Sequence, residues 1–334
     1  MDEDRAPRTT MTTRVQVKRV GGVGAGSRVD LVVVEEPLRI NIEQGDVRGV
    51  LGSTMRTPGH DLELAVGLSV GEGMITVPDD LVSVRPCRDG NGPVVGEVTV
   101  TVSSTTAAPI DISHLGRVAT PSSACGVCGR DQIDELISRA PRILREVTID
   151  SGVLASLPDT MRGRQSVFER TGGLHAAALA TAAGEILVVR EDVGRHNAVD
   201  KVIGYAVMNR LVGDVLVVSG RAGFEIAQKA AMAGIPVVAS VSAPTSLSVD
   251  VALACDLTLA AFVRDGRLGI YSGERRIVER QPGLTESPES TESPESTEST
   301  ESTESTESTK SPQSPQSTKP PESPELADGE RAVR

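Results

Sequence analysis

Short aliphatic segments alternate with helical segments along the second half of this 334-residue chain. Nearly continuous aliphatic strands are typical of parallel sheets that are buried on both faces. We therefore predict an α/β domain (α+β over the whole chain) with a mostly parallel sheet, which would bind ligands where its strands end. The predicted elements are a helix over Leu154–Arg162, a strand or helix over Leu174–Thr181, a strand over Glu185–Arg190, a helix over Asn197–Arg210 capped by Asn197, a strand over Asp214–Ser219, a helix over Phe224–Ala233, a strand over Pro236–Val241, a helix over Ser248–Ala254 and a strand over Leu257–Val263.

The first part of the chain has a different pattern. Polar and apolar residues alternate over Arg14–Val20 and Gly96–Val102, which indicates half-buried strands. Between them, Thr57–Gly67 has the composition of a helix that begins near Pro58 and ends at Gly67. We predict a disordered segment over 1–13, a smaller β-rich domain over 14–120, a mobile cysteine loop over 121–130 and the α/β domain over 131–280, starting with a helix at Asp131.

Composition excludes several classes of protein. The chain has no Trp, 2 Tyr and 3 Phe, so its core must be aliphatic. Residues 281–334 repeat Thr, Glu, Ser and Pro and contain 12 acidic and 4 basic residues, which accounts for −8 of the net charge of −12. We predict that this tail is disordered, because it has too few apolar side chains to offset the entropy lost on ordering. The body has no basic cluster for nucleic acid, and the chain has no apolar stretch for a membrane and no secretory signal, which indicates a cytoplasmic protein.

Two cysteines in the turn Cys125–Gly129 are the most reactive groups in the sequence. Small residues surround both thiols, so the pair could hold a metal, form a disulfide or pass on a sulfur atom. A structural zinc site needs four ligands, of which this pair supplies two. Cys87 and Cys255 are isolated in the sequence, and no His-x-Glu motif of the zinc deaminases is present. We expect no tightly held metal, but a zinc-dependent deaminase-like enzyme remains an alternative to a carrier of persulfide sulfur.

Three loops are predicted to meet at the ligand-binding edge, those that follow Ser219, Val241 and Val263. Ser219–Gly223 offers backbone N–H groups and Arg221 to an anion. Phe262–Arg267 presents Arg264 and Arg267, which could clamp phosphates, and Asp265, which could pair with a guanine edge. The stretch Phe262–Arg267 also has a purely structural interpretation, because Asp265-Gly266 is equally a hairpin turn. Other candidate contacts near this edge are His175, Asp192, Arg195 and His196.

Together these sequence stretches resemble the FdhD family of formate dehydrogenase accessory proteins. The matching stretches are Met55–Asp61, Cys125–Gly129, Gly172–His175, Glu191–Lys201, Ser219–Lys229, Gly234–Pro236, Ser242–Ser246 and Phe262–Tyr271. The resemblance implies a cytidine-deaminase-like fold without the zinc site, and a homodimer.

The resemblance also implies a function. Members of this family are sulfurtransferases that take sulfur from a cysteine desulfurase as a cysteine persulfide. They pass it to the molybdenum bis(molybdopterin guanine dinucleotide) cofactor, a bound substrate, before formate dehydrogenase receives that cofactor. Carried over to this sequence, Cys125 bears the persulfide, Cys128 is its partner thiol, and Phe262, Val263, Arg264, Asp265, Gly266 and Arg267 bind the cofactor. A chaperone that binds the cofactor without transferring sulfur is the other alternative.

Overall fold

A computed structural model describes residues 9–21, 25–89, 92–109 and 141–279. The strands are β1 (Thr12–Arg19), β2 (Gly26–Val33), β3 (Glu36–Gln44), β4 (Val47–Arg56), β5 (Leu81–Asp89), β6 (Gly92–Val102), β7 (Ile149–Asp150), β8 (His175–Ala180), β9 (Ile186–Asp192), β10 (Val215–Val218), β11 (Val237–Ser240), β12 (Thr258–Arg264), β13 (Arg267–Ser272) and β14 (Ile277–Val278). The α-helices in these ranges are α1 (Asp61–Gly71), α2 (Ser151–Arg162), α3 (Ser166–Thr171), α4 (Arg195–Met208), α5 (Phe224–Met232) and α6 (Ser246–Ala254).

A six-stranded sheet with the order β13-β12-β11-β10-β8-β9 forms the centre of the α/β part. The predicted α/β class is confirmed, and Leu174–Thr181, which was ambiguous, contains strand β8. The sheet is mixed rather than mostly parallel, because β10, β11 and β12 pair in parallel whereas β8–β9, β8–β10 and β12–β13 are antiparallel. Short turns join β8 to β9 and β12 to β13, and only antiparallel strands can be joined so directly.

Both faces of this sheet are covered, which explains why its strands are aliphatic throughout. Leu216 and Val218 of β10 face one buried cluster, and Val215 and Val217 face the other. The first cluster includes residues of α1, α4, α5 and α6, and the second includes residues of α2. Alternate residues of β10 therefore belong to different cores, and no position in the strand is left for a polar side chain.

The N-terminal part contains a two-stranded β1–β2 ribbon and a four-stranded sheet with the order β4-β3-β6-β5. β3 alternates between buried and more exposed residues, with Leu38, Ile40 and Ile42 buried in the same cluster that contains Leu216 of the six-stranded sheet. The β-rich part thus shares a hydrophobic core with the α/β part. The predicted boundaries at residues 120, 121, 130, 131 and 280, the helix at Asp131, residues 1–8 and the tail over 281–334 lie outside the described residues. β1 begins at Thr12, inside the predicted N-terminal segment 1–13.

Two predicted helix ends are wrong, and tertiary contacts explain both. α1 continues past Gly67 to Gly71, because Gly67 is the position where α4 crosses α1. A Cβ atom at Gly67 would lie 1.8 Å from the carbonyl oxygen of Asp200, and one at Gly204 would lie 1.8 Å from that of Glu63. These glycines therefore allow the two helix backbones to touch. α4 begins at Arg195 with Gly194 as its N-cap, whereas Asn197 donates its amide to the Met55 carbonyl at 2.7 Å.

Candidate functional site

The strand directions bring most of the predicted site residues to one edge of the six-stranded sheet. β9 and β10 both run antiparallel to β8, so β9, β10, β11 and β12 all point the same way. Their last residues therefore lie at one edge, where β8 begins with His175. We call this edge the rim and define it as His175, Asp192–His196, Ser219–Gly223, Ser242–Thr245 and Phe262–Arg267.

Hydrogen bonds tie the rim loops together. The Ala222 N–H donates to the Ala243 carbonyl and the Thr245 N–H to the Ala222 carbonyl, both at 3.2 Å. The Phe262 N–H donates to the Ser242 carbonyl, also at 3.2 Å. On the other side, the Ala176 N–H donates to Ser219 Oγ at 2.9 Å. The expectation that the loops after Ser219, Val241 and Val263 share one edge is confirmed.

The β12–β13 hairpin carries the arginines that were predicted to hold phosphates. Asp265 and Gly266 have φ values of 53° and 69°, which is the turn that a two-residue hairpin favours. Phe262 sits at an irregularity of β12 with φ of 54°, a conformation in which a bulky side chain is strained. Arg264 and Arg267 are exposed, and within the described ranges neither forms an ion pair. Both guanidiniums are thus available to an anionic ligand.

His175 and Arg195 meet at Gly220, where the backbone has no side chain to separate them. A Cβ atom at Gly220 would lie 3.4 Å from His175 Nδ1 and 3.8 Å from Arg195 Cδ. Burial lowers the pKa of His175 below its ordinary value of 6.5, and the charges of Arg195 and His196 lower it further, while Asp192 opposes them. In the described part of the chain, the buried Nε of Arg195 has no hydrogen-bond partner.

We predict that His175 is predominantly neutral at pH 7 and that the midpoint of its protonation lies below pH 6.5. Because its pKa is lower in the folded chain than in the unfolded chain, its contribution to stability is complete above pH 6.5 and is lost as the pH falls. An NMR titration of the histidine rings, with His175→Gln to identify the signal, measures this midpoint. A midpoint at or above 6.5 would contradict the assignment.

Asp192 is a buried residue of the rim. It is 0% exposed, and its carboxylate accepts from Lys201 Nζ at 2.6 Å, from the Gly194 N–H at 2.8 Å and from the Thr57 N–H at 3.2 Å. Lys201 Nζ also donates to the Thr57 carbonyl at 3.0 Å. This cluster joins the Asp192–His196 segment to the turn between β4 and α1. Sequence reasoning missed Lys201 and Thr57, because nothing in the local pattern distinguishes a buried lysine from a solvated one.

His196 belongs to a second polar contact, between α4 and α5. Its Nε2 lies 2.7 Å from Glu225 Oε2, and one turn further along both helices Lys229 Nζ lies 2.7 Å from Asp200 Oδ1. The hydrogen bond from His196 is the main reason that the pKa of Glu225 lies below its ordinary value. Arg221, in contrast, is exposed, with no ion pair among the described residues.

The cysteine pair, Cys125 and Cys128, lies outside the described residues, but the chain on each side of it is described. Pro109 precedes the gap and Pro141 follows it. Gln44 Nε2, at the end of β3, donates to the Ala108 carbonyl at 3.0 Å, and the Ile143 N–H donates to the Cys255 carbonyl, at the end of α6, at 2.8 Å. β4, antiparallel to β3, ends beside Thr57 and the rim, and α6 begins there. The described residues on both sides of the cysteine segment therefore lie at the end of the structure opposite the rim, which we call the opposite pole.

The other two cysteines lie apart from the rim. Cys87 Sγ, on β5, is 3.1 Å from Thr99 Oγ1, and Cys255 is buried at the end of α6. Among the described residues, no group of three histidine, cysteine or carboxylate side chains could hold a metal ion. Over the same ranges, no helix has both the length and the apolar character needed to cross a bilayer.

Comparisons with known proteins agree on one family. Residues 33–278 match the FdhD/NarQ family. The sulfur carrier protein FdhD of Streptomyces avermitilis is 45% identical over 280 residues, which cover 81% of this chain and 97% of that protein. The protein of the same name from Nocardia farcinica is 45% identical over 274 residues, with 80% and 95% of the two chains covered.

The fold comparison gives a consistent result. A crystal structure from Desulfotalea psychrophila, described as a proposed formate dehydrogenase accessory protein, superposes with a TM-score of 0.63 at 22% identity. The match covers 80% of this chain and 100% of that chain, and at this identity it supports the fold alone. From the matched residues and the relatives' identity, this chain belongs to the FdhD/NarQ family.

Proposed function

We propose that this chain is a cytoplasmic sulfur carrier that serves the maturation of a formate dehydrogenase. It takes sulfur from a cysteine desulfurase onto Cys125 and delivers it to a molybdenum bis(molybdopterin guanine dinucleotide) substrate held at the rim. Cys128 is the partner thiol, and the chain acts as a homodimer. The observation that carries this proposal is the membership of a family whose matched relatives are named sulfur carrier proteins, at 45% identity.

The loading step that we propose is a thiol exchange. The Cys125 thiolate attacks the terminal sulfur of the desulfurase persulfide and forms a new S–S bond. The S–S bond of the donor breaks, and the desulfurase cysteine leaves as a thiolate. Cys125 is left as a persulfide, with no change in the total number of electrons, so this step requires no external oxidant. Cys128, three residues away, can then accept or release the sulfur by the same kind of exchange.

The rim has the charges that a dinucleotide substrate requires. Arg221, Arg264 and Arg267 are exposed and form no ion pairs within the described ranges, so no acidic side chain must be displaced before they bind phosphate. Planar guanidinium groups bind phosphate oxygens in pairs, which orients as well as attracts the ligand. The neutral His175 ring lies at the same edge, against Gly220, and adds a hydrogen-bonding group.

The described residues on both sides of the cysteine segment lie at the pole opposite the rim, so this segment has to span that distance for Cys125 to deliver sulfur at the rim. α4, which runs from the rim towards the other pole, has 14 residues and is thus about 21 Å long. Cys125 is 16 residues from Pro109 and 16 from Pro141. Sixteen extended residues reach about 50 Å. By length alone, a cysteine on this segment can reach the rim.

Formate dehydrogenase activity in cells tests the proposal. We expect that Cys125→Ala abolishes maturation in a strain that depends on this chain, because Cys125 is the thiol that we propose receives the sulfur from the desulfurase. Cys87→Ala is the matched control and should support full activity, since Cys87 lies on β5 away from the rim.

The two alternatives give different results, the first in the same activity assay and the second in the metal content of the purified protein. A chaperone that only binds the cofactor would keep activity in Cys125→Ala and lose it when Arg264 and Arg267 are replaced by glutamine. A zinc-dependent enzyme would contain stoichiometric metal that disappears with either Cys125 or Cys128. Full maturation by Cys125→Ala would refute the sulfur-carrier proposal.

A further inference from the structure

The two exposed aromatic side chains of this protein lie on one hairpin. The chain has five aromatic residues, of which Phe168, Tyr205 and Phe224 are partly buried. The rings of Phe168 and Tyr205 are covered by the guanidiniums of Arg162 and Arg190. Phe262 on β12 and Tyr271 on β13, in contrast, are each 40% exposed. Both exposed aromatic residues of this aromatic-poor protein therefore lie on the hairpin that carries Arg264 and Arg267.

The strand pairing of the hairpin is irregular at Tyr271. The pairing of β12 with β13 shifts register between Leu259↔Ser272 and Ala260↔Ile270, so that Tyr271 is an extra residue of β13. A second shift on the same hairpin, between Ala261 and Arg264, includes Phe262. Such irregularities re-aim side chains and are frequent beside ligand sites. Each exposed aromatic residue is thus at a position where the strand departs from regular pairing.

The Tyr271 ring lies back along β13 towards the rim end of the hairpin. A Cβ atom at Gly269 would be 3.3 Å from Tyr271 Cε2 and 3.8 Å from Tyr271 Oη, so the ring covers the space that a side chain at Gly269 would fill. Gly269 pairs with Ala261, the neighbour of Phe262. Within the described chain, the Tyr271 hydroxyl makes no hydrogen bond. The ring therefore lies over Gly269, and part of its surface remains exposed.

We propose that Tyr271 is a base-stacking residue for a guanine of the nucleotide substrate, on the same hairpin as Phe262. This inference rests on the proposed function, which supplies a ligand with two guanine bases. Aromatic side chains stack on purine bases, and cationic side chains beside them bind the attached phosphates. Arg264, whose guanidinium lies 6.0 Å from the centre of the Phe262 ring, is placed for the second role. In this arrangement the guanine base contacts the Tyr271 ring rather than its hydroxyl group.

Binding of GDP to the full-length chain tests this role by calorimetry. We expect Tyr271→Ala to weaken GDP binding about tenfold or more, the usual effect of removing one stacking ring. Tyr271→Phe keeps the ring and should bind GDP as the unaltered chain does. Equal affinity of Tyr271→Ala and the unaltered chain would overturn the inference and leave the sulfur-carrier proposal intact. Failure of the unaltered chain to bind GDP would overturn the inference together with the nucleotide half of the proposed function.

Tyrosine fluorescence provides a second readout that does not depend on the stability of an alanine variant. The chain has no Trp and only Tyr205 and Tyr271, so in Tyr205→Phe all emission comes from Tyr271. We expect GDP to quench this emission at the concentrations that saturate binding in calorimetry. In Tyr271→Phe, where only Tyr205 emits, GDP at the same concentrations should leave the emission unchanged. Binding without quenching in Tyr205→Phe would contradict a stacked base.

Discussion

Gly204→Ala is expected to prevent α1 and α4 from packing and to cost at least about 3 kcal/mol of unfolding free energy. The added Cβ would lie 1.8 Å from the carbonyl oxygen of Glu63 and 2.7 Å from its carbonyl carbon. Both are backbone atoms of α1, so no side chain can rotate to relieve the clash. The helices would have to separate by more than an ångström, and the buried residues between them, among them Leu64 and Val199, would lose their contacts. Native stabilities of about 5–15 kcal/mol leave little margin for such a loss.

Urea unfolding followed by far-UV circular dichroism measures this effect. Gly163→Ala is the matched control, because Gly163 ends α2 with a helical φ of −62° and a Cβ there would meet no atom closer than 3.6 Å. The control should unfold at the same urea concentration as the unaltered chain or slightly higher. If Gly204→Ala unfolds together with Gly163→Ala, the two helices do not touch as described.

Lys201→Met is expected to lower the free energy of unfolding by about 3–5 kcal/mol, because it leaves the Asp192 carboxylate buried without its counter-charge. Asp192 and Lys201 are both 0% exposed, and Lys201 satisfies its ammonium group with Asp192 and the carbonyls of Thr57 and Glu191. The same pair joins the rim to the turn before α1. We therefore also expect GDP binding to weaken in any fraction of the variant that remains folded.

The double variant Asp192→Asn/Lys201→Met separates the buried charge from the loss of packing. It removes both charges and keeps an acceptor for the Thr57 N–H, so it should recover part of the stability that Lys201→Met loses. Unfolding in urea again gives the comparison. A double variant no more stable than Lys201→Met, or a single variant as stable as the unaltered chain, would mean that the Asp192–Lys201 pair does not hold the rim.

The strands of the α/β part could be predicted from sequence because both of their faces are buried. Val215–Val218 has an aliphatic residue at every position, and only a strand between two cores needs that. The hairpin at Asp265-Gly266 was predictable for a local reason, since its positive φ values favour those residues. The helix ends predicted at Gly67 and Asn197 were wrong. Each has a residue type that suits a helix end, but its role is set by contact with another part of the chain.

The candidate site was predictable to a similar degree. Polar residues that directly follow buried strands, such as Asp192 and Arg221, do reach one edge of the sheet. Their individual roles depend on burial, which a sequence does not reveal: Asp192 is buried within the rim and Arg221 is exposed on it. Lys201 lies one turn and a half into α4, where a lysine is normally solvated. Its burial results from contact with Thr57, which is 144 residues earlier.

The central claim, that the chain carries sulfur on Cys125, is tested most directly by intact mass spectrometry. The full-length protein is incubated with free cysteine and a cysteine desulfurase, and its mass is compared before and after treatment with a thiol reductant. We predict a gain of one sulfur atom that the reductant removes, present in Cys87→Ala and absent in Cys125→Ala. An unchanged mass, or an equal gain in Cys125→Ala, would contradict the account.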